Sequence, residues 1–163
     1  MLFEDTFTIR KLLTKLIFDF IYTTEYNNKQ DILNEFRPLF ENEESTKIAQ
    51  NIKYDIHILK NYGIEVRGKH FDTMVAHYLV YPEEKHGMDF LAKKYLSYEP
   101  VSIETLIGKK GKNQGLMSDA NLNEVCEYAC EDADITFQLK EVIEKDLKDN
   151  DLEKLYCQAE EPL

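Results

Sequence analysis

The clearest indication of the fold is the stretch Tyr128-Ala129-Cys130-Glu131-Asp132, which is followed by the apolar residues Ile135, Leu139, Val142 and Ile143. Residues three, four, seven, eight and eleven apart share one face of a helix. On a wheel turning about 100° per residue, Asp132 falls in the middle of the apolar arc. Glu131 and Asp134 point away from that arc, so we expect both to face solvent. A core-facing carboxylate must be paired, hydrogen-bonded, protonated or metal-bound, because burying it bare costs too much.

A second predicted helix runs from Asn51 to Tyr62 and repeats the pattern. Asp55 lies on the same arc as the apolar residues of this helix, with Asn51 one turn earlier beside it. Two inward carboxylates that lie close together repel each other unless a cation joins them. A divalent metal satisfies both, and phosphoryl chemistry is a common use of such sites. The alternative is structural: Asp55 is favoured near a helix start by the helix dipole, and Asp132 bonds a neighbouring hydroxyl.

The rest of the chain reads as many helices alternating with few strands, which indicates an α/β fold. Strands are predicted at 16–24, 46–50 and 64–66. Helices are predicted at 28–42 (kinked or broken at Pro38), at 51–62 (ended by a left-handed Gly63), from 71–73 to Pro82 (with Asp72 as N-cap), at 87–96, at 121–148, and after a cap at Asn150 or Asp151. The stretch 97–119 is expected to be less regular, with 108–114 as an exposed loop.

Composition restricts the class of protein. The 163 residues suit one domain, 1–163, and 43% of them are hydrophobic, which is enough for a core. A net charge of −11 argues against a protein that coats duplex DNA through bulk charge. The three cysteines form no CxxC pair and are expected to be reduced and packed as small hydrophobes. No apolar run is long enough to span a membrane, so we expect no membrane partner and a cytoplasmic location.

Three motifs together carry a family resemblance: Gln50-Asn51-Ile52-Lys53-Tyr54-Asp55, Phe71-Asp72-Thr73-Met74, and Tyr128-Ala129-Cys130-Glu131-Asp132-Ala133-Asp134. In this order and spacing they resemble the proofreading module of bacterial family A DNA polymerases (DNA polymerase I), a DnaQ-like, RNase H-like 3′–5′ exonuclease domain. The resemblance covers 31–163 and leaves 1–30 as a divergent N-terminal segment. It implies a mixed sheet flanked by helices, with incomplete N-terminal strands, and a role in DNA replication.

The resemblance also implies residue roles. Asp55 and Asp132 match metal-ligand aspartates of the second and third exonuclease motifs, and Tyr128 matches a catalytic tyrosine that orients the attacking water. The family uses two divalent ions, Mg²⁺ or Mn²⁺, about 3.5–4 Å apart; one generates the hydroxide and the other stabilises the leaving 3′ oxygen. Gln50 and Asn51 stand where the family touches the 3′-terminal nucleotides of single-stranded DNA.

A local basic region offers further contacts to the strand. Lys85 and Lys112 belong to it, together with Lys93, Lys94, Lys109, Lys110 and His86. Such a patch could bind the phosphates of a single strand, although a solvated loop and helix face would look the same.

The family's first motif, Asp-x-Glu, does not occur before Gln50. The nearest candidate is Asp19 on the first predicted strand, but Ile21 stands where the glutamate is expected. Two functions therefore stay open: metal-dependent hydrolysis of 3′-terminal nucleotides, and a degenerate domain that binds DNA or serves as a scaffold without cutting. The family's polymerase part is not expected within this chain.

Overall fold

The computed structural model describes residues 29–160. The predicted strand at 16–24, with Asp19, lies outside these residues. The helices are α1 (Lys29–Phe40), α2 (Ile52–Asn61), α3 (Thr73–Val80), α4 (Met88–Leu91), α5 (Ile103–Ile107), α6 (Leu122–Asp149) and α7 (Glu153–Leu155). Two strands are described, β1 (Lys47–Ala49) and β2 (His70–Asp72). A π-helical turn (Ala92–Leu96) continues α4, a 3₁₀ turn spans Met117–Asp119, and a second π-helical turn (Tyr156–Glu160) follows α7.

The two described strands form a small parallel sheet. Ile48 lies opposite Phe71, and Ala49 opposite Asp72. This pairing corrects the sequence prediction, because 64–66 form no strand and the strand comes where a helix start was expected. Ile64 is nevertheless buried, so this apolar residue contributes to side-chain packing although it does not belong to a paired strand. The α/β prediction is confirmed in its coarse form, as a helix-rich arrangement around a parallel sheet.

Two glycines set the path between the strands. Gly63 has φ +69° and ends α2 as predicted. Gly68 has φ +84°, and a Cβ there would lie 2.8 Å from the carbonyl oxygens of Glu43 and Ser45. Only glycine allows this close approach of two backbones. The turn therefore aligns β2 with β1, and Lys47 N donates to Lys69 O at 2.9 Å where the pair begins.

The core is built on α6, whose 28 residues confirm the helix predicted at 121–148. The side chain of Asn121 caps its start by accepting hydrogen bonds from two backbone N–H groups. Of the predicted apolar stripe, three residues are fully buried and Val142 is half-buried. The buried core contains Phe71, Ala76, Leu91, Ala92, Ile135, Leu139, Ile143, Leu147 and Tyr156. The hydrophobic period therefore identified the face that α6 packs against α3 and β1.

Several smaller expectations meet mixed outcomes. α1 continues through Pro38 to Phe40, so the proline does not divide it into two pieces. The last helix is capped at Leu152 without a side-chain bond, so the prediction of Asn150 or Asp151 as its cap is wrong. Cys126 and Cys130 are buried as expected, but Cys157 is exposed. Between residues 29 and 160, the helices are all too short or too polar to cross a membrane.

Candidate functional site

The first part of the candidate site is the pair Tyr128 and Asp132, one turn apart on α6. Both side chains are half-buried, and the Tyr128 hydroxyl donates a hydrogen bond to the Asp132 carboxylate. Burial raises the pKa of Asp132 to about 6; the Tyr128 hydrogen bond lowers it, and the negative charges of Glu131 and Asp89 raise it. Burial likewise raises the pKa of Tyr128 to about 12. The carboxylate is thus incompletely compensated by its surroundings.

Glu131 and Asp134, expected to face solvent, are both half-buried. Glu131 accepts hydrogen bonds from the Tyr98 hydroxyl at 2.5 Å and from Val101 N at 2.9 Å. Asp134 accepts one from Gln138 Nε2 at 2.7 Å. The helical wheel placed these residues on the outer face correctly, but the segment before α5 covers that face. A groove of about 830 Å³ remains there, and Tyr128 lines it.

Asp72 organises the second part of the site. Its Oδ1 accepts hydrogen bonds from Met74 N at 2.9 Å and Val75 N at 3.2 Å, which confirms the predicted N-cap of α3. The same carboxylate accepts from Asn51 N at 3.0 Å and Ile52 N at 2.8 Å. The buried Asp72 side chain therefore caps α3 and also accepts hydrogen bonds from the backbone N–H groups at the start of α2. Asn51 has a left-handed backbone, φ 64°, and its side chain makes no cap bond.

Asp55 lies one turn into α2. Its side chain is exposed, so the expectation that it lies in the core-facing arc is wrong. The apolar residues of the same arc are also exposed, Ile58 at 38% and Tyr62 at 40%, and within α2 only Ile52 at its start is buried. Partial burial against neighbouring atoms, followed by the negative charge of Asp72, raises the pKa of Asp55. Asp55 also lines a groove of about 360 Å³ that runs along β1.

The predicted DNA-binding residues occupy two places. Gln50 is half-buried; its Nε2 donates to the backbone oxygen of His86 at 2.7 Å, and its Oε1 bonds the Thr73 hydroxyl. Lys85, which precedes His86, is exposed. Lys112 is also exposed, in the loop between α5 and α6.

Two other lysines of the basic region are bound to acids. Lys93 contacts Glu99 and Lys94 contacts Glu84, each at 2.6 Å. Their charges are therefore partly neutralised, and they offer less to a phosphate than Lys85 and Lys112 do.

Contacts through α4 connect the two parts of the site. The hydroxyl of Thr136, one turn after Asp132, bonds the sulfur of Met88 at 3.7 Å. Asp89, the next residue, raises the pKa of Asp132. Two residues before Met88, the backbone oxygen of His86 accepts the hydrogen bond from Gln50. Residues 86–89, at the start of α4, thus lie between the Gln50 side of the site and the Asp132 side.

Metal binding by Asp55 and Asp132 stays a prediction. Their oxygen ligands suit a hard divalent cation, and the raised pKa of each shows that it would gain from a nearby positive charge. Different carboxylates act on the two: Asp72 on Asp55, and Glu131 with Asp89 on Asp132. Among residues 29–160, no group of three or more His, Cys, Asp or Glu side chains is arranged to hold a metal ion.

The sequence did not reveal the roles of Asp89 and Glu131, or the second bond set of Asp72. An N-cap signal was present for Asp72, but its contact with α2 depends on the parallel pairing that places Ala49 opposite it. Asp89 carried no signal beyond its nearness to the basic region.

Comparison with known proteins identifies relatives of this arrangement. A family model described as 3′-5′ exonuclease matches residues 15–148, and so reaches into the segment expected to be divergent. The chain is 39% identical over 137 residues to DNA polymerase I of Borreliella burgdorferi, and 34% identical over 134 residues to that of Rhizobium leguminosarum. These matches cover 84% and 82% of the chain but only 14% and 13% of the relatives. A shorter match, 49% over 47 residues, covers 29% of the chain and 4% of DNA polymerase I B, chloroplastic/mitochondrial, of Arabidopsis thaliana.

Proposed function

The chain belongs to the 3′-5′ exonuclease family found in DNA polymerase I, and on this premise we propose that it removes nucleotides from the 3′ end of single-stranded DNA. The reaction is hydrolysis of the terminal phosphodiester. Because the chain corresponds to about one seventh of its bacterial relatives, the activities of those whole proteins are not assigned to it beyond this step.

Asp55 and Asp132 are the proposed ligands of Mg²⁺ or Mn²⁺. When bound, such ions activate water and stabilise charge on the leaving 3′ oxygen. Tyr128 holds the Asp132 carboxylate through its hydroxyl and stands beside the groove on α6. Its raised pKa keeps the phenol protonated at neutral pH, so it donates a hydrogen bond and does not act as a base.

The DNA strand is proposed to contact Gln50 and Asn51 at its 3′ end, with Lys85 and Lys112 near its phosphates. Both lysines are exposed and free to neutralise phosphate charge. The left-handed backbone of Asn51, held by Asp72, leaves the Asn51 side chain exposed at the start of α2. An amide there can both donate to and accept from a nucleotide.

We further propose that residues 1–163 form one domain of RNase H-like architecture. The parallel pairing of β1 with β2, and the packing of α6 against β1, support this assignment.

The observation that carries the functional proposal is the Tyr128–Asp132 pair. Asp132 is a half-buried carboxylate with a pKa near 6 that interacts with the Tyr128 hydroxyl. Contacts at the start of α4 connect its helix to Gln50. These features are typical of a cation site that lies next to a residue proposed to bind the DNA strand. A purely structural aspartate in this position would be expected to be fully compensated by hydrogen bonds.

A trimming assay tests the proposal. A single strand labelled at its 5′ end is incubated with the 163-residue chain and Mg²⁺ or Mn²⁺, beside Asp132→Ala. We expect a ladder shortened from the 3′ end, lost in the variant and in EDTA. Trimming that persists in Asp132→Ala would contradict the assigned role of Asp132.

The degenerate alternative has its own readout. If no trimming occurs at high protein concentration with Mn²⁺, while the chain still retards the strand in a gel, the hydrolytic proposal fails. The chain would then be a DNA-binding member of the family that does not cut.

A further inference from the structure

A pair of histidines holds the segment between α3 and α4. His77 lies on α3 with no exposed surface, and its Nδ1 is 2.8 Å from Nδ1 of His86. This distance is that of a hydrogen bond, so one proton lies between the two nitrogens. None of the roles assigned above uses either imidazole ring.

The surroundings decide which ring donates. Nε2 of His77 lies 3.5 Å from the carboxylate of Glu84, which favours a proton on that nitrogen. Nδ1 of His77 is then an acceptor, and His86 donates through Nδ1–H.

Burial, helped by nearby positive charges, keeps His77 neutral. Burial, followed by the positive charges of Lys94 and His86, lowers the pKa of His77 to about 4, while Glu84 and Asp146 oppose this shift. The aromatic rings that face His77 are those of Tyr81, Phe90 and Tyr95. The histidine pair therefore stays intact at neutral pH.

The backbone of His86 then determines how Gln50 is oriented. The His86 carbonyl oxygen accepts a hydrogen bond, so the nitrogen of the Gln50 amide must face it, at 2.7 Å. The Gln50 oxygen faces the Thr73 hydroxyl. With both ends of the amide held, one Nε2 hydrogen is left to point at a further acceptor.

We propose that His86 is a positioning residue, whose ring, anchored on His77, sets the carbonyl that aims the Gln50 N–H at a hydrogen-bond acceptor of the DNA strand. This inference rests on the proposed function, because it assumes that Gln50 touches the strand. It adds a residue that acts through Gln50 and makes no contact with DNA itself.

A double-mutant cycle tests this coupling. The affinity of a fluorescent oligothymidine is measured in EDTA for the 163-residue parent, Gln50→Ala, His86→Ala and the double variant. Each single change is expected to weaken binding about 5- to 10-fold, which corresponds to one lost hydrogen bond. The double variant should bind as Gln50→Ala does, since His86 acts through that residue.

Two further variants sharpen the result. His86→Asn restores an N–H near the position of Nδ1 and should recover most of the affinity. His57→Ala removes an exposed histidine of α2 and should leave binding unchanged. Failure of Asn to rescue, or additive losses in the double variant, would overturn the inference while leaving the proposed function standing.

If the parent does not trim DNA, and Gln50→Ala binds the oligothymidine as tightly as the parent does, the proposed function is overturned as well. NMR of the ¹⁵N-labelled parent provides a test that needs no variant. We expect a proton on Nε2 of His77 and on Nδ1 of His86, and the reverse arrangement, or two charged rings at neutral pH, would refute the proposed anchoring.

Discussion

Replacing Asp132 by Asn should stabilise the metal-free protein at neutral pH. The Asp132 carboxyl has a pKa of about 6 when folded, against 3.8 for the free side chain. Asn has the same shape, and its oxygen can still accept the Tyr128 hydrogen bond. The substitution therefore removes the cost of ionising a half-buried acid while it keeps the local contact.

The magnitude follows from linkage. Two pKa units at 1.36 kcal/mol each would give about 3 kcal/mol, and partial exposure of the side chain reduces this to about 1.5 kcal/mol. For a domain of this size, the melting temperature should rise by about 3 to 6 °C.

The sign depends on pH. Below about pH 4 the carboxyl is protonated in both states, and parent and variant differ little. Between about pH 4 and 6 the unfolded parent ionises first, so the folded parent loses stability relative to the variant. Above about pH 6 the difference stays constant.

The assay is thermal unfolding in EDTA at pH 4, 5, 6 and 7.5. Glu141→Gln is the matched control, because it removes one negative charge from an exposed position on the same helix. Adding Mg²⁺ should stabilise the parent and not the variant, since ligand binding stabilises only the state that binds it. A variant that is less stable than the parent at pH 7.5, or a difference independent of pH, would refute the reasoning.

Three further predictions concern the frame of the site. Asp72→Asn should destabilise the fold by about 2 to 3 kcal/mol in urea unfolding, because the amide nitrogen would face the Ile52 N–H. The pKa of Asp55, followed by NMR, should fall because the negative charge of Asp72 is lost. An unchanged pKa would contradict the coupling between the two residues. Gly68→Ala should lower the free energy of unfolding by about 2 to 4 kcal/mol, because the new Cβ would meet two carbonyl oxygens at 2.8 Å and the backbone φ is positive. Gly87→Ala is the control, because a Cβ there meets nothing within 4 Å. Equal effects of the two substitutions would argue against the close approach at Gly68. Tyr156→Phe should lower the free energy of unfolding by about 1 to 3 kcal/mol. The Asp72 N–H donates to the Tyr156 hydroxyl at 2.6 Å and would be left buried without this partner. An unchanged stability would show that another acceptor replaces the hydroxyl.

The long helix α6 shows what periodicity can determine. Its approximate bounds and its buried stripe follow from the 3.6-residue period, because packing on one face requires apolar residues at that spacing. The place of a residue on the helical wheel does not predict which other segment of the chain covers that face. Glu131 is on the outer face as predicted, yet the segment carrying Tyr98 and Val101 covers it.

The short elements were less predictable. His70–Asp72 is a three-residue strand that exists because it pairs with β1, and three residues carry too little pattern to mark a strand. Ile64, by contrast, looked like part of a strand but is buried without being paired in one.

The sequence by itself determined the family, through the identity, order and spacing of three motifs. It also determined the Tyr128–Asp132 spacing on one helix face and the cap at Asp72, because these depend on residues close together in the chain. Only the tertiary structure decided that Asp72 also holds the start of α2, that His86 orients Gln50, and that Asp55 stays exposed. Each of these contacts joins segments about 20 to 40 residues apart or depends on which face of a helix is covered. Local periodicity carries no information about such contacts, because they arise from how the elements pack.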